Sequence, residues 1–270
     1  MASNFHASIV SRPLVLLTDF GLQDGYTGIM KGVIAQIAPQ ARIIDLTHHI
    51  PPQNILAGRF CLLNAYRYFP PESVFIGVVD PGVGSHRRGI AVRFAEGFFV
   101  GTDNGLVGGI LRESPCLEAV SLTNTDYWRV PQPSGTFHGR DIFAAVGAHL
   151  SLGLALAQLG DPLDSSELVD LPLSPFQIQP GGLEGSIQYI DHFGNLITNM
   201  PGNLLRGKSW TVHLSGQMII SGKTYSSVAL GTAIALIGSH NYLEIAVNGG
   251  NAQEQFGVNW GDSLTLSFLS

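Results

Sequence analysis

The sequence predicts an α/β protein with a mainly parallel sheet covered by helices, followed by a small, all-β, barrel-like C-terminal domain. Three observations lead there. Over about the first 165 residues, short apolar runs alternate with segments of helical spacing, the pattern of parallel strands joined by helices. From Asp170 to Gly182 the chain carries three prolines and two glycines and reads as a linker. Beyond it come short strand-like runs separated by turns, at the spacing of a small barrel or sandwich. The expected division is residues 1–170, a linker at 171–182, and residues 183–270.

In order, residues 14–18 form a short apolar strand that ends in Asp19. Asp24 is expected to cap a helix over 25–37, which Pro39 stops. A second strand follows at 42–46. Helical spacing runs from Gln53 to Phe69, with Ile55, Leu56, Leu63 and Tyr66 among the apolar positions. Residues 74–79 are an unbroken apolar run, the mark of a buried strand, and deliver Asp80. Residues 90–94 and 97–101 read as a hairpin, followed by Thr102-Asp103-Asn104-Gly105. A long Ala/Leu-rich helix is expected over 139–159. In the second part, strands are expected at 185–189, 196–199, 210–214, 217–220, 233–237, 242–247 and 263–268, with little helix.

Composition narrows the function. Hydrophobic residues make up 45% of the 270, enough for a sizeable core. Charged residues are only 13%, against a usual share of about 25%, which suggests a surface partly covered by other subunits. The net charge of -6 argues against nucleic acid, whose phosphates need a basic footprint. Cys61 and Cys116 form neither a disulfide framework nor a metal spacing and read as free thiols. No apolar run reaches the ~18 residues of a membrane span. The start, Met1 to His6, lacks the basic and apolar regions of a signal peptide, so a soluble cytoplasmic protein is expected.

Chemistry concentrates around Asp80. A carboxylate at the carboxyl end of a buried strand lies where open α/β sheets bind ligands. Arg87 follows on the glycine-rich turn Asp80-Pro81-Gly82-Val83-Gly84-Ser85-His86-Arg87, which could fold back. Asp19 and Asp45 are read as further acids past strand ends; Asp103 and Asp141 stand in turn or helix-start contexts. Acids converging on one sheet edge repel unless they bind something, and a metal ion or a sugar's vicinal hydroxyls would suit them. Any one of them could equally be a turn or cap residue. His138, in His138-Gly139-Arg140-Asp141, begins a helix; the positive dipole end favours a neutral imidazole, which could orient a water or accept its proton. A plain capping or packing role stays open for it. His48 and His49 lack a recognisable ligand spacing and suit surface or packing roles. Gly82-Val83-Gly84 lacks the third glycine of a dinucleotide fingerprint, and no phosphate loop or nucleophile elbow is present.

In the second part, Asp191-His192-Phe193-Gly194-Asn195 is a turn that could be only a turn, or could stack Phe193 on a flat ring while Asn195 reads its edge. Gly238-Ser239-His240-Asn241 reads as a hairpin tip ahead of Glu244. Val247-Asn248-Gly249-Gly250-Asn251-Ala252 opens a loop whose bare backbone would admit a planar ligand.

Together these motifs resemble the S-adenosyl-L-methionine hydroxide adenosyltransferases, hydrolases related to the fluorinase and chlorinase enzymes. The matching stretches are Leu17-Thr18-Asp19-Phe20-Gly21, Asp80-Pro81-Gly82-Val83-Gly84, Phe137-His138-Gly139-Arg140-Asp141, Phe193-Gly194-Asn195 and Asn248-Gly249-Gly250-Asn251-Ala252. Each is weak alone; five in order across two domains make a specific match. The resemblance implies hydrolysis of S-adenosyl-L-methionine to adenosine and L-methionine, with no cofactor and no metal. It implies a homotrimer whose active sites lie between the N-terminal domain of one subunit and the C-terminal domain of its neighbour. It further implies a water-activating set of Asp80, Arg87 and His138, with Asp19 on the ribose. Phe193, Asn195 and Asn248 would frame the adenine, Asp191, Ser239 and Glu244 would hold the methionine end, and Val247 would be a further substrate-binding residue. In the halogenases the position of Asp80 carries Tyr or another residue suited to a halide pocket, so this chain keeps the hydrolase pattern. Three alternatives remain: a chlorinase-like halogenase, a metal-dependent hydrolase using Asp19, Asp45, Asp80 and His138, and a non-catalytic nucleoside-binding module.

Overall fold

The computed structural model describes residues 11–269. The N-terminal stretch read above for a signal lies outside the described residues. The chain divides into two compact units, Met1–Leu171 and Pro172–Ser270.

The first unit contains strands β1 (Leu14–Thr18), β2 (Ile43–Thr47), β3 (Ser73–Val78), β4 (Gly89–Phe94), β5 (Gly97–Thr102), β6 (Cys116–Ser121) and β7 (Asp161–Pro162). Its helices are α1 (Tyr26–Ile37), α2 (Ile55–Ala65), α3 (Gly108–Leu111) and α4 (Ala144–Ser151). The strands form one sheet in the order β2-β1-β3-β5-β4-β6-β7. Pairing is parallel from β2 to β5 and antiparallel from β4 outward, because the 89–102 segment is the hairpin that its sequence suggests.

Strands buried on both faces need unbroken apolar runs, and β1 and β3 have them. Leu14, Leu16, Val74, Ile76 and Val78 pack with α1 and α4 in one core, through residues such as Met30, Ile34 and Val146. The alternate residues Leu17 and Val79 face α2, where Gly58 leaves room for close approach. From β1 the chain passes to β2 on one side and then to β3 on the other. The crevice beyond β1 and β3 is therefore a topological switch point, and Asp19 and Asp80 follow those two strands.

Several boundaries differ from expectation. Asp24 does not cap α1; its N-cap is Gly25, which makes no side-chain bond. Asn54 caps α2 instead, its Oδ1 accepting from the Ala57 amide at 2.9 Å. Asp45 lies within β2 rather than past its end. The long helix over 139–159 is broken into a π-helical turn (Gly139–Phe143), α4, and a 3₁₀ turn (Leu156–Leu159). Gly153, at φ +92°, ends α4 in a conformation that other residues rarely adopt. Among the described residues no helix is long and apolar enough to cross a membrane. Cys61 and Cys116 are free thiols, and burial pushes the Cys61 thiol up to about 11.

The second unit is a nearly closed antiparallel barrel. Its strands are β8 (Gln177–Gln179), β9 (Gly182–Ile190), β10 (Leu196–Pro201), β11 (Trp210–Leu214), β12 (Gln217–Ile220), β13 (Ala233–Ile237), β14 (Tyr242–Val247) and β15 (Ser263–Phe268). They run β12-β11-β15-β9-β10-β14-β13, with β8 on β9, and a bridge from Ser221 to Ala235 draws the two edges together. The 171–182 stretch is thus not all linker: residues 177–179 pair with β9. A short helix, α5 (Ala252–Phe256), lies where only a loop was expected. Its signal is present in the sequence, since Asn251 caps it through the Glu254 amide at 3.0 Å and Gly257 closes it at φ +64°.

Ile76 is fully buried in the central strand β3. Ile76→Ala should lower stability by about 2–5 kcal/mol, read as a reduced urea midpoint at unchanged slope. A loss below about 1 kcal/mol would mean that this face is not the core.

Candidate active site

The connection from β3 to β4 carries Asp80 and Arg87. Two turns shape it: the Val83 amide bonds to the Asp80 carbonyl at 3.2 Å, and the Ser85 amide to Gly82 at 3.1 Å. Gly84 adopts φ +77°, and a side chain there would run into the carbonyl of Gly135. The Asp80–Arg87 loop thus meets the 133–138 loop backbone to backbone, which brings His138 alongside.

Arg87 donates through Nε to Asp80 Oδ1 at 3.0 Å and through Nη2 to Oδ2, a two-pronged pair. The two side chains are only 12% and 6% exposed. The same Nη2 lies 2.7 Å from His138 Nδ1. A guanidinium has no acceptor, so Nδ1 must be the acceptor and carry no proton. His138 is therefore neutral, with its hydrogen on Nε2. Burial, and then the charge of Arg87, pull its pKa below the ordinary histidine value; Asp80 and Asp141 oppose this. Its neutrality was expected from a helix dipole, but desolvation and Arg87 are the causes, and its side chain makes no capping bond.

Asp19, Asp80 and His138 line one cavity of about 390 Å³ at the switch point, a volume suited to a small organic ligand. Phe20, Tyr26 and Phe137 form an aromatic wall, their ring centroids 5.3–5.8 Å apart. Phe20 and Phe137 stand within the recognised motifs, but their role as a wall was not anticipated. Asp19 Oδ2 accepts from the Gln53 amide at 2.8 Å, and Gln53 holds φ +63°, a conformation that costs a non-glycine residue about 1–3 kcal/mol. His48 is buried, with Nδ1 2.9 Å from Thr18 Oγ1 and Nε2 3.1 Å from Asp45 Oδ1, and does not line the cavity, while His49 is exposed.

The remaining acids are engaged elsewhere. Asp45 pairs with Lys31 at 2.6 Å and does not line the cavity. Asp141 accepts from Arg129 and Arg140, each at 2.7 Å, and from the Ser134 amide at 2.9 Å. Asp103 binds Arg88 at 2.7 Å. Among the described residues no three His, Cys, Asp or Glu side chains are grouped to hold a metal ion, so Asp19, Asp45, Asp80 and His138 are not gathered as the metal reading needs.

In the second unit, Asp191 organises its own turn. Its Oδ1 accepts from the amides of Phe193 and Asn195, and its Oδ2 from Asn195 Nδ2, all at 2.9 Å. Phe193 projects with 71% exposure, a large apolar ring held out by a rigid turn. Asn248 Nδ2 donates to the Val228 carbonyl at 2.7 Å, next to buried Val247. Ser239 is exposed at the tip between β13 and β14. Glu244 is buried and accepts from Tyr225 Oη at 2.7 Å and from His240 Nε2 at 3.0 Å. His240 Nδ1 accepts from the Tyr242 amide, which leaves Nε2 as the donor to Glu244. Tyr225 was not singled out from sequence; burial, then its bond to Glu244, push its hydroxyl pKa up.

The N-terminal family model described as "SAM hydroxide adenosyltransferase N-terminal domain" matches residues 14–160, and the corresponding C-terminal domain model matches 185–265. The chain belongs to the SAM hydroxide adenosyltransferase family. It is 38% identical to the "(R)-S-adenosyl-L-methionine hydrolase" of Salinispora tropica over 257 residues, covering 93% of this chain and 95% of that one. A crystal structure titled as an uncharacterized conserved protein from Thermotoga maritima superposes with a TM-score of 0.88 at 35% identity, covering 94% and 99% of the two chains. The fluorinase of Actinopolyspora mzabensis is more distant, 26% identical over 95% of this chain and 98% of its own.

The bond to Arg87 has a spectroscopic consequence. Imidazole ¹⁵N resonances of His138 should show a neutral ring with hydrogen on Nε2 and a titration midpoint below the ordinary value of about 6.5. In Arg87→Met the midpoint should rise, because a neighbouring positive charge is removed. A midpoint unmoved by that change would contradict the assignment.

Proposed function

We propose that this protein hydrolyses S-adenosyl-L-methionine to adenosine and L-methionine by attack of water at the ribose C5′. The observation that carries the reading is the Arg87-bridged pair of Asp80 and neutral His138 facing a nucleoside-sized cavity at the β1/β3 switch point. The Salinispora tropica relative, named for this activity, supports it.

The leaving group is a neutral thioether, so no acid need assist it. The C5′–O bond forms as the C5′–S bond breaks, and the electron pair of that bond neutralises the sulfonium. The difficulty lies with the nucleophile, since water has a pKa near 15.7. Asp80 accepts a hydrogen bond from the water and takes its proton as the new bond forms. His138 cannot accept in its Nε2–H state; it donates to the water oxygen and fixes its position. Holding the oxygen about 3–3.5 Å from C5′, in line with C–S, removes several kcal/mol of barrier. Arg87 orients both partners without touching the water. Asp19 binds the ribose hydroxyls, and the aromatic wall excludes bulk water from a reaction in which charge disperses.

The C-terminal unit supplies the rest: Phe193, Asn195, Val247 and Asn248 frame the adenine, and Asp191, Ser239 and Glu244 hold the methionine end. The exposed Phe193 ring on its rigid turn supports this, as does the buried Glu244 network. The protein acts as a homotrimer, each site pairing the N-terminal unit of one subunit with the C-terminal unit of a neighbour; its low charge content supports covered surface. It works in the cytoplasm, in keeping with two unpaired thiols, and without a metal. The sulfonium epimer preferred is (R), following the name of the relative.

Purified protein with S-adenosyl-L-methionine should release adenosine and methionine, resolved by chromatography, at a rate unchanged by chelator. Asp80→Ala should lower kcat by about 10²-fold or more. Equal turnover without Asp80 would sink the mechanism. Formation of 5′-chloro-5′-deoxyadenosine in chloride, with no adenosine, would favour the halogenase, and bound adenosine without turnover would favour a binding module. Light scattering should give three times the chain mass, and an active monomer would refute shared sites.

A further inference from the structure

The Asp80–Arg87 loop has a topological peculiarity. It joins β3 to β4, yet these strands are not neighbours, because β5 lies between them. The loop therefore arches over the carboxyl end of β5, and the residues that follow that strand, Asp103 and Asn104, sit beneath it. Each holds one foot of the arch. Asn104 Nδ2 donates to the carbonyl of Val79, the residue before Asp80, at 2.8 Å. Its Oδ1 accepts from the Leu106 amide at 3.2 Å, which fixes the side chain. Asp103 Oδ2 accepts from Arg88, the residue after Arg87, through Nε at 3.0 Å and Nη2 at 2.7 Å. The Asp103 amide bonds to the Arg88 carbonyl at 3.0 Å, and Asp103 Oδ1 accepts from the Val169 amide at 2.9 Å. Asp103 is buried, and neither residue lines the cavity.

We propose that Asp103 and Asn104 are positioning residues that clamp both ends of the water-activating loop, setting the separation of Asp80 and Arg87 from the bound substrate. This rests on the function proposed above. The clamp bears on the nucleophile's carboxylate and its arginine, not on Asp19 or the aromatic wall. Its loss should therefore lower kcat while leaving KM nearly unchanged.

Two variants test it. Asn104→Asp keeps the shape and the acceptor for Leu106 but replaces the donor to Val79 with an oxygen. Asp103→Asn leaves one acceptor oxygen where Arg88 and Val169 need two. In either folded variant kcat should fall about 10- to 100-fold, the scale of a misplacement near 1 Å, with KM within about twofold of the parent. Amide exchange of the peptide spanning residues 80–88 should quicken, with other segments unchanged. If Asn104→Asp does not fold, Asp103→Asn carries the test. Unchanged kcat with unchanged loop exchange overturns the clamp, as does a fall in kcat matched by an equal loss of binding and of global protection. Should the parent protein not turn over S-adenosyl-L-methionine, the proposed function fails, and the exchange result alone decides the clamp.

Discussion

The candidate site depends on one guanidinium. Arg87 satisfies both oxygens of Asp80 and, through the same nitrogen, the Nδ1 of His138. An always-charged planar donor is the one side chain that can do both without titrating. It compensates a carboxylate that is almost wholly buried, and it dictates which imidazole nitrogen bears hydrogen. Removing one partner from such a buried pair typically costs about 3–5 kcal/mol, so the three residues are best regarded as a unit rather than as separable contributions. In the proposed mechanism the division of labour follows from donor and acceptor chemistry: Asp80 accepts from the water and His138 donates to it.

The backbone makes that unit possible. A buried parallel pair of strands ends at a switch point, and the residues after β1 and β3 face one crevice. The arch over β5 then returns Arg87 to the side of Asp80, seven residues on. Gly84 lets this arch touch the loop that carries His138, since any side chain there would run into the Gly135 carbonyl and hold the two apart. Gly84, in the glycine-rich turn after Asp80, therefore serves close backbone packing.

Much of this was legible in the sequence because it is local or strictly periodic. The short apolar run before Asp80, bounded by Pro and Gly, read as a buried strand, which it is, and the turn residues after it allowed Arg87 to fold back. What escaped has a physical reason. Asp45 looked like a strand-end acid, but a strand boundary depends on pairing with β1, which places it inside β2. The helix over 139–159 reads as continuous in Ala and Leu, and only the φ of Gly153 shows where it ends. The neutrality of His138 was foreseen but its cause was not, because desolvation and the approach of Arg87 are tertiary facts. Tyr225 meets Glu244 across 19 residues, a contact that neither periodicity nor motif spacing encodes.

The central claim is that the oxygen entering at C5′ is a water oxygen held by Asp80 and His138. Turnover of S-adenosyl-L-methionine in ¹⁸O-labelled water, followed by mass spectrometry of both products, tests it most directly. The account requires adenosine to carry the label at its 5′ oxygen and methionine to carry none. Unlabelled adenosine, or label found in methionine, would contradict it.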